Sequence, residues 1–208
     1  MNTMGAEVIE GINKGITMAE KNFKGIVIGN EGNNFSAGAN LGMLFMLAGN
    51  REFEDIGLSI AAFQNTMMRA RFSSIPVVVA TSGLTLGGGC EISFHADLVR
   101  AHTETYMGLV EAGVGIIPSG GGTKEMTLRT SDMYRKGDPE LNVLMESFMN
   151  IATAKVATSS KEAVSMGLLR KTDKHTLSRA RLLSDAKKDV INLYDAGYTC
   201  LLYTSDAA

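Results

Sequence analysis

Glycine placement restricts this 208-residue chain more than any other feature of its sequence. Its glycines crowd into 83–89 and 113–122, stretches where the backbone must turn sharply or approach another group too closely to carry a side chain. The first stretch follows Pro76-Val77-Val78-Val79-Ala80, a β-branched run that reads as a buried strand. A tight loop over 84–89 then leads to a helix within 90–95. A strand, a sharp loop and a helix in such quick succession predict a sheet covered by helices.

The rest of the chain repeats that alternation. Met4, Val8, Ile12 and Ile16, with Ile9 beside them, form one apolar stripe of a first helix. Residues 25–29 read as a short buried strand, 41–48 as a short apolar helix, and 53–72 as a long one that stops before Pro76. Residues 97–101 and 105–107 are two further short strands, and 120–123 open another helix. Asp138-Pro139-Glu140 reads as an N-cap followed by proline at the first helical position, with Leu141, Leu144, Met145, Phe148 and Met149 recurring on one face. Ser159-Ser160-Lys161-Glu162 fits a capping box, Gly167 stops that helix, and a last helix is expected over 176–196 before Gly197. Short strands alternating with helices make this an α/β chain of a length that suits one domain.

Composition excludes several functions. Apolar residues make up 45%, charged ones 20%, and the net charge is -2, an ordinary soluble balance without the basic footprint of a nucleic-acid binder. No apolar run is long enough to suggest a membrane span. Two cysteines, Cys90 and Cys200, cannot build a disulfide scaffold, so a reducing, cytoplasmic setting is expected, with no secretory leader in 1–5. The 13 methionines read chiefly as gap-filling core.

Familiar cofactor motifs fail on inspection. Gly113-Val114-Gly115-Ile116-Ile117-Pro118 places proline where the third glycine of a dinucleotide fingerprint must let helix and strand pack. Gly120-Gly121-Gly122-Thr123-Lys124-Glu125 has the wrong order for a phosphate loop. His95, His102 and His175 are too scattered to predict a metal site. Two glycine-flanked loops survive, Ser36-Ala37-Gly38-Ala39 and Gly87-Gly88-Gly89, each able to aim backbone N–H groups at one ligand oxygen. Two acids accompany them: Glu91 in the first turn after the second loop, and Glu111 among small and apolar neighbours that would desolvate it. Spacing alone leaves a structural reading equally open, with glycines serving packing, Glu91 capping a helix and Glu111 facing water.

Several of these motifs recur together in a known family. Phe35-Ser36-Ala37-Gly38-Ala39-Asn40 is followed by Pro76-Val77-Val78-Val79-Ala80, which leads into Leu86-Gly87-Gly88-Gly89-Cys90-Glu91. Val110-Glu111-Ala112-Gly113-Val114-Gly115-Ile116-Ile117-Pro118 and Gly120-Gly121-Gly122-Thr123 come next. In this order, with these loop lengths and the 20-residue step between the two glutamates, the chain resembles the crotonase superfamily, whose best-known members are enoyl-CoA hydratases. The resemblance covers 23–127 well and 157–169 more loosely. Residues 35–44, Thr105-Tyr106-Met107-Gly108-Leu109-Val110-Glu111 and the long segment 126–154 are most similar to the hydratase part of fused 3-hydroxyacyl-CoA dehydrogenase/enoyl-CoA hydratase proteins.

The resemblance implies a crotonase-like spiral of ββα units with C-terminal helices, assembled as a homo-oligomer, with a dehydrogenase domain in the complete protein. It implies that the N–H groups of Ala39 and Gly88 form an oxyanion hole for a thioester carbonyl. Glu91 would activate and orient water for attack at Cβ, and Glu111 would protonate Cα. Ser36, Ala37 and Gly38 match the segment that contacts the adenine of coenzyme A. Asn40, in the same loop, stands where many relatives carry aspartate. Met43 and Met46 would border the acyl channel or fill core. The expected ligand is an acyl-CoA substrate that brings coenzyme A with it, and no separate cofactor or metal is expected. Retention of both acids favours hydration over double-bond isomerisation, which needs only the second; acyl-CoA binding without catalysis is a third reading.

The resemblance further implies two strands ahead of the first helix, so that Met1 is expected to be an internal methionine and the open sheet edge to weaken the isolated chain, in activity as well as stability. Residues 1–199 are expected to form a partial crotonase-like domain. Cys200-Leu201-Leu202-Tyr203-Thr204-Ser205 matches one reading frame of a sequencing-library transposase end, so 200–208 are expected to be adapter-derived.

Overall fold

The computed structural model describes residues 2–134, 137 and 139–200. Strands β1 (Ile26–Ile28), β2 (Val77–Leu86), β3 (Leu98–Gly108) and β4 (Lys174–Thr176) form a parallel sheet in the order β1-β2-β3-β4. Parallel neighbours need crossovers, and helices supply them: α1 (Ala6–Asn22) precedes β1, while α2 (Leu41–Gly49) and α3 (Phe53–Arg71) connect β1 to β2. The crossover from β2 to β3 is α4 (Gly88–Phe94). Between β3 and β4 come α5 (Gly122–Ser131), α6 (Glu140–Ala152) and α7 (Ser160–Ser165), and α8 (Leu182–Asp195) closes the chain.

The unbroken valine run of β2 follows from burial on both faces. Val77 and Val79 pack with Ile16 of α1, Met67 and Ala70 of α3 and Ile92 of α4. Val78 and Ala80 pack on the opposite side with Leu182, Ala186 and Val190 of α8. A third cluster joins Cys90 and Phe94 of α4 to Val99 and Met107 of β3, Met126 of α5 and Ala163 of α7. Beyond the sheet, Ser36 bridges to Thr85 and Met4 to Ala39, so the segment carrying the first glycine loop lies beside the far half of β2.

Several elements differ from the sequence expectation. Residues 84–86, expected as loop, extend β2, so that the turn is confined to Gly87. The two short strands expected over 97–107 are one strand, β3, interrupted by a bulge: Thr81 pairs with Ala101 but Gly83 with Thr105. The extra β3 residues are braced locally, since Thr105 Oγ1 donates to the His102 carbonyl at 2.7 Å and Glu104 N–H to His102 Nδ1 at 3.2 Å. Residue 176 ends β4, and the last helix begins only at Leu182. Pro139 occupies the N-cap of α6 instead of its first helical position, and the Asp138 cap lies outside the described residues. The apolar face of α6 points outward, with Leu141 67% and Phe148 57% exposed. Methionines divide between core and surface: Met67, Met107 and Met126 are buried, whereas Met18 and Met46 are exposed. Residues 201–208, the bulk of the expected adapter tail, lie outside the described residues, and Cys200 is exposed.

One buried feature ties α4 to its surroundings. The Phe94 carbonyl at its C-terminal end accepts from Arg71 Nη2 and Arg129 Nη2, each at 3.5 Å, and from Arg170 Nη2 at 3.1 Å. Arg129 also lies over the Phe94 ring, 4.4 Å from its centroid.

Candidate active site

The two glycine loops meet at the end of the sheet. Gly87 N–H donates to the Gly108 carbonyl at 2.9 Å, which joins the ends of β2 and β3 and starts α4 one residue later. Gly87 takes φ 52°, a conformation that favours glycine. A Cβ added there would stand 3.6 Å from Gly38 Cα and 3.2 Å from Glu111 Oε1, so the first loop and the second acid both press against this turn. Ala37, Gly38, Ala39, Asn40, Gly87, Gly88, Glu91 and Glu111 all line one cavity of about 920 Å³. Its walls are largely apolar, with Met4, Ile9, Leu41, Met43, Leu44, Leu58 and Phe63 among them.

Not every expected residue reaches the cavity. Ser36 is buried behind the loop, where its Oγ accepts from Gly38 N–H at 3.1 Å and its Cβ fills the space above Gly89. Asn40 lines the cavity but its side chain caps α2, accepting from Met43 N–H at 3.3 Å. Met43 is part of the wall, whereas Met46 is not and is 60% exposed.

Glu91 is 2% exposed and does not cap its own helix. Its Oε1 accepts from Gly122 N–H at 2.8 Å, and Gly120 contributes a second backbone bond. The glycines are required by proximity: a Cβ at Gly120 would lie 2.6 Å from Glu91 Oε2, and one at Gly122 would lie 2.9 Å from Oε1. Burial, followed by the charge of Glu111, pushes the Glu91 carboxyl up to about 7 against the lowering effect of those two bonds. Glu111 opens a 3-10 turn over Glu111–Val114, is half-buried, and is also raised by burial. Its Oε2 is buried without a hydrogen-bond partner. Two carboxyls raised by burial beside one apolar cavity, Glu91 to about 7, are groups able to exchange protons with a bound molecule.

The flanking groups are inert by comparison. Burial pushes the Cys90 thiol up, so it stays protonated. His95 Nδ1 lies 2.7 Å from the Glu91 carbonyl, which fixes that nitrogen as the donor, and burial holds the ring down at about 4. Among the described residues no group of three or more His, Cys, Asp or Glu side chains is placed to hold a metal ion. Nor is any described helix long and apolar enough to cross a membrane.

Sequence reasoning missed the Gly120-Gly121-Gly122 clamp on Glu91, reading the run as a helix opening, a failed phosphate loop and part of the family pattern. The run of three glycines was itself the signal, because it marks close approach. Phe63 was also missed: its ring packs against both Gly88 and Gly120, yet in sequence it is one more apolar residue on a helix.

The profile of the enoyl-CoA hydratase/isomerase family matches residues 1–188. The chain belongs to that family. Its fold is the crotonase fold, as in an enoyl-CoA hydratase from Polaromonas sp. JS666, which superposes with a TM-score of 0.74 at 24% identity over 92% of this chain and 68% of the other. A Bacillus subtilis (strain 168) protein named "Probable 3-hydroxyacyl-CoA dehydrogenase" is 44% identical over 197 residues, 95% of this chain but 25% of its own length. A second B. subtilis protein, "Probable enoyl-CoA hydratase", is 26% identical over 193 residues, covering 88% of this chain and 67% of that one. This chain thus spans about a quarter of the first relative and two thirds of the second.

Proposed function

We propose that the chain is the enoyl-CoA hydratase unit of a longer, cytoplasmic β-oxidation enzyme that also carries a dehydrogenase domain and assembles as a homo-oligomer. The observation that carries this reading is the second acid. Moving a double bond needs one carboxyl to shuttle a proton between carbons, yet here two line the cavity. Glu91, the one an isomerase could dispense with, is buried and held by two peptide N–H groups.

In this reading Ala39 and Gly88 donate N–H bonds to the thioester oxygen as negative charge builds on it. The water oxygen bonds to Cβ while its proton passes to Glu91. The electron pair of the Cα=Cβ bond takes a proton from Glu111 at Cα. One proton has then moved from Glu111 to Glu91 and must return before the next cycle, which suits two carboxyls that burial raises above the ordinary value. Coenzyme A arrives as part of the substrate, with its adenine end against the loop of Ser36, Ala37, Gly38 and Asn40, and no separate cofactor takes part.

Crotonyl-CoA hydration by the wild-type chain and by Glu91→Gln and Glu111→Gln tests the proposal. Each substitution is expected to lower kcat by at least about 100-fold. Isomerisation of a 3-enoyl-CoA that survives Glu91→Gln but not Glu111→Gln, with no hydration by the wild type, would refute it.

A further inference from the structure

The turn that grips Glu91 is itself gripped from outside the cavity. Gln64, an exposed residue of α3, donates from Nε2 to the Ser119 carbonyl at 2.6 Å. Ser119 directly precedes Gly120, and Gly120 and Gly122 supply the N–H groups on the Glu91 carboxyl. Phe63, one residue before Gln64, packs its ring against Gly120 from within the cavity. Three successive glycines have more backbone freedom than any other tripeptide, so they cannot fix the direction of their own N–H groups. That direction must come from the anchors at either end, which are α5 after Gly121 and the Ser119 carbonyl before Gly120.

We infer that Gln64 is a positioning residue: its bond to Ser119 fixes the Gly120-Gly121-Gly122 turn and, through that turn, the orientation of the Glu91 carboxyl. The kinetic arm of the test rests on the proposed hydration; the titration arm does not. The other groups around Glu91 are Glu111 from the 3-10 turn, Cys90 on its own helix, and His95 at its carbonyl. Glu125, with Arg71 and Lys124, lies beyond His95. All stay unchanged when Gln64 is replaced, so a shift reports the turn.

Gln64→Met keeps the length of the side chain and removes the donor; Gln64→Arg restores one. For crotonyl-CoA hydration by the full chain, Gln64→Met is expected to lower kcat roughly 3- to 10-fold with KM within about twofold, and Gln64→Arg to recover most of the loss. In ¹³C NMR of labelled glutamate carboxyls, with Glu91 assigned by its absence in Glu91→Gln, the Gln64→Met midpoint should rise by about half a unit as the clamp loosens. An unshifted midpoint with wild-type kcat overturns the inference, and so does a Gln64→Arg variant no better than Gln64→Met. If the wild type adds no water, the hydration reading fails alone, because the Glu91 midpoint in Gln64→Met still decides the role of Gln64.

Discussion

Replacing Glu91 by Gln should flatten the pH dependence of folding stability between about pH 4.5 and 7. The carboxyl rises from an ordinary value of 4.5 to about 7 in the folded chain, first through burial and then through Glu111. A group whose folded value is raised holds its proton more tightly when folded, so its contribution is complete below the unfolded value and is lost as pH climbs through the folded one. For Glu91 the loss amounts to about 3 kcal/mol, a sizeable part of a domain's margin, and little more is lost above pH 7. Urea unfolding of the wild type and Glu91→Gln at half-unit steps from pH 4.5 to 8 reads the difference directly. The amide does not titrate, so the two curves should converge or cross as pH rises, with a change in relative stability of about 3 kcal/mol. Parallel curves over that range would mean that the carboxyl is not desolvated, and the acid-base chemistry built on its raised value would fall with it.

Glu111→Gln removes the charge that helps raise Glu91, so the Glu91 titration should move down, as a carboxyl-resolved NMR titration would show. Gly122→Ala would put a methyl 2.8 Å from Pro118 Cβ and 2.9 Å from Glu91 Oε1, which should cost about 1–3 kcal/mol in urea unfolding and reduce kcat through the displaced clamp. Arg129→Met should destabilise by about 3 kcal/mol, since it strands the Gly167 and Leu168 carbonyls that the guanidinium now satisfies at 3.2 and 3.0 Å; an unchanged urea midpoint would show that water replaces it.

What the sequence disclosed depended on how local the governing interaction was. The extension of β2 over 84–86 and the start of α4 at Gly88, two residues before the expected helix, were not legible, whereas the valine half of β2 was, because valines act on their own backbone. Ser159 was legible as the N-cap of α7 for the same reason, accepting from Glu162 N–H at 3.1 Å. Its partner went one residue astray: the Glu162 carboxyl bonds Thr158 N–H at 2.8 Å, completing the box outside the predicted four residues. The β3 bulge was not legible, because it is stabilised by His102 and Thr105 side chains that look ordinary in a strand. Family pattern pointed to Glu91 and Glu111, and the structure places both on one cavity. The clamp was hidden since Gly122 and Glu91 lie 31 residues apart, and Gln64 and Ser119 lie 55 apart, separations that leave no periodic trace.

The three guanidinium groups at the Phe94 carbonyl have a consequence for how quickly the site can be ready. At seven residues, α4 is too short to persist by its own hydrogen bonds, so its geometry belongs to whatever holds its ends. Anchored at its C-terminal end by Arg71, Arg129 and Arg170 and at its N-terminal end by the Gly87 bond to Gly108, it holds Gly88 and Glu91 between two fixed points. The entropy of ordering those two residues is therefore lost once, when the chain folds, and under the proposed function an arriving thioester would meet them already aligned.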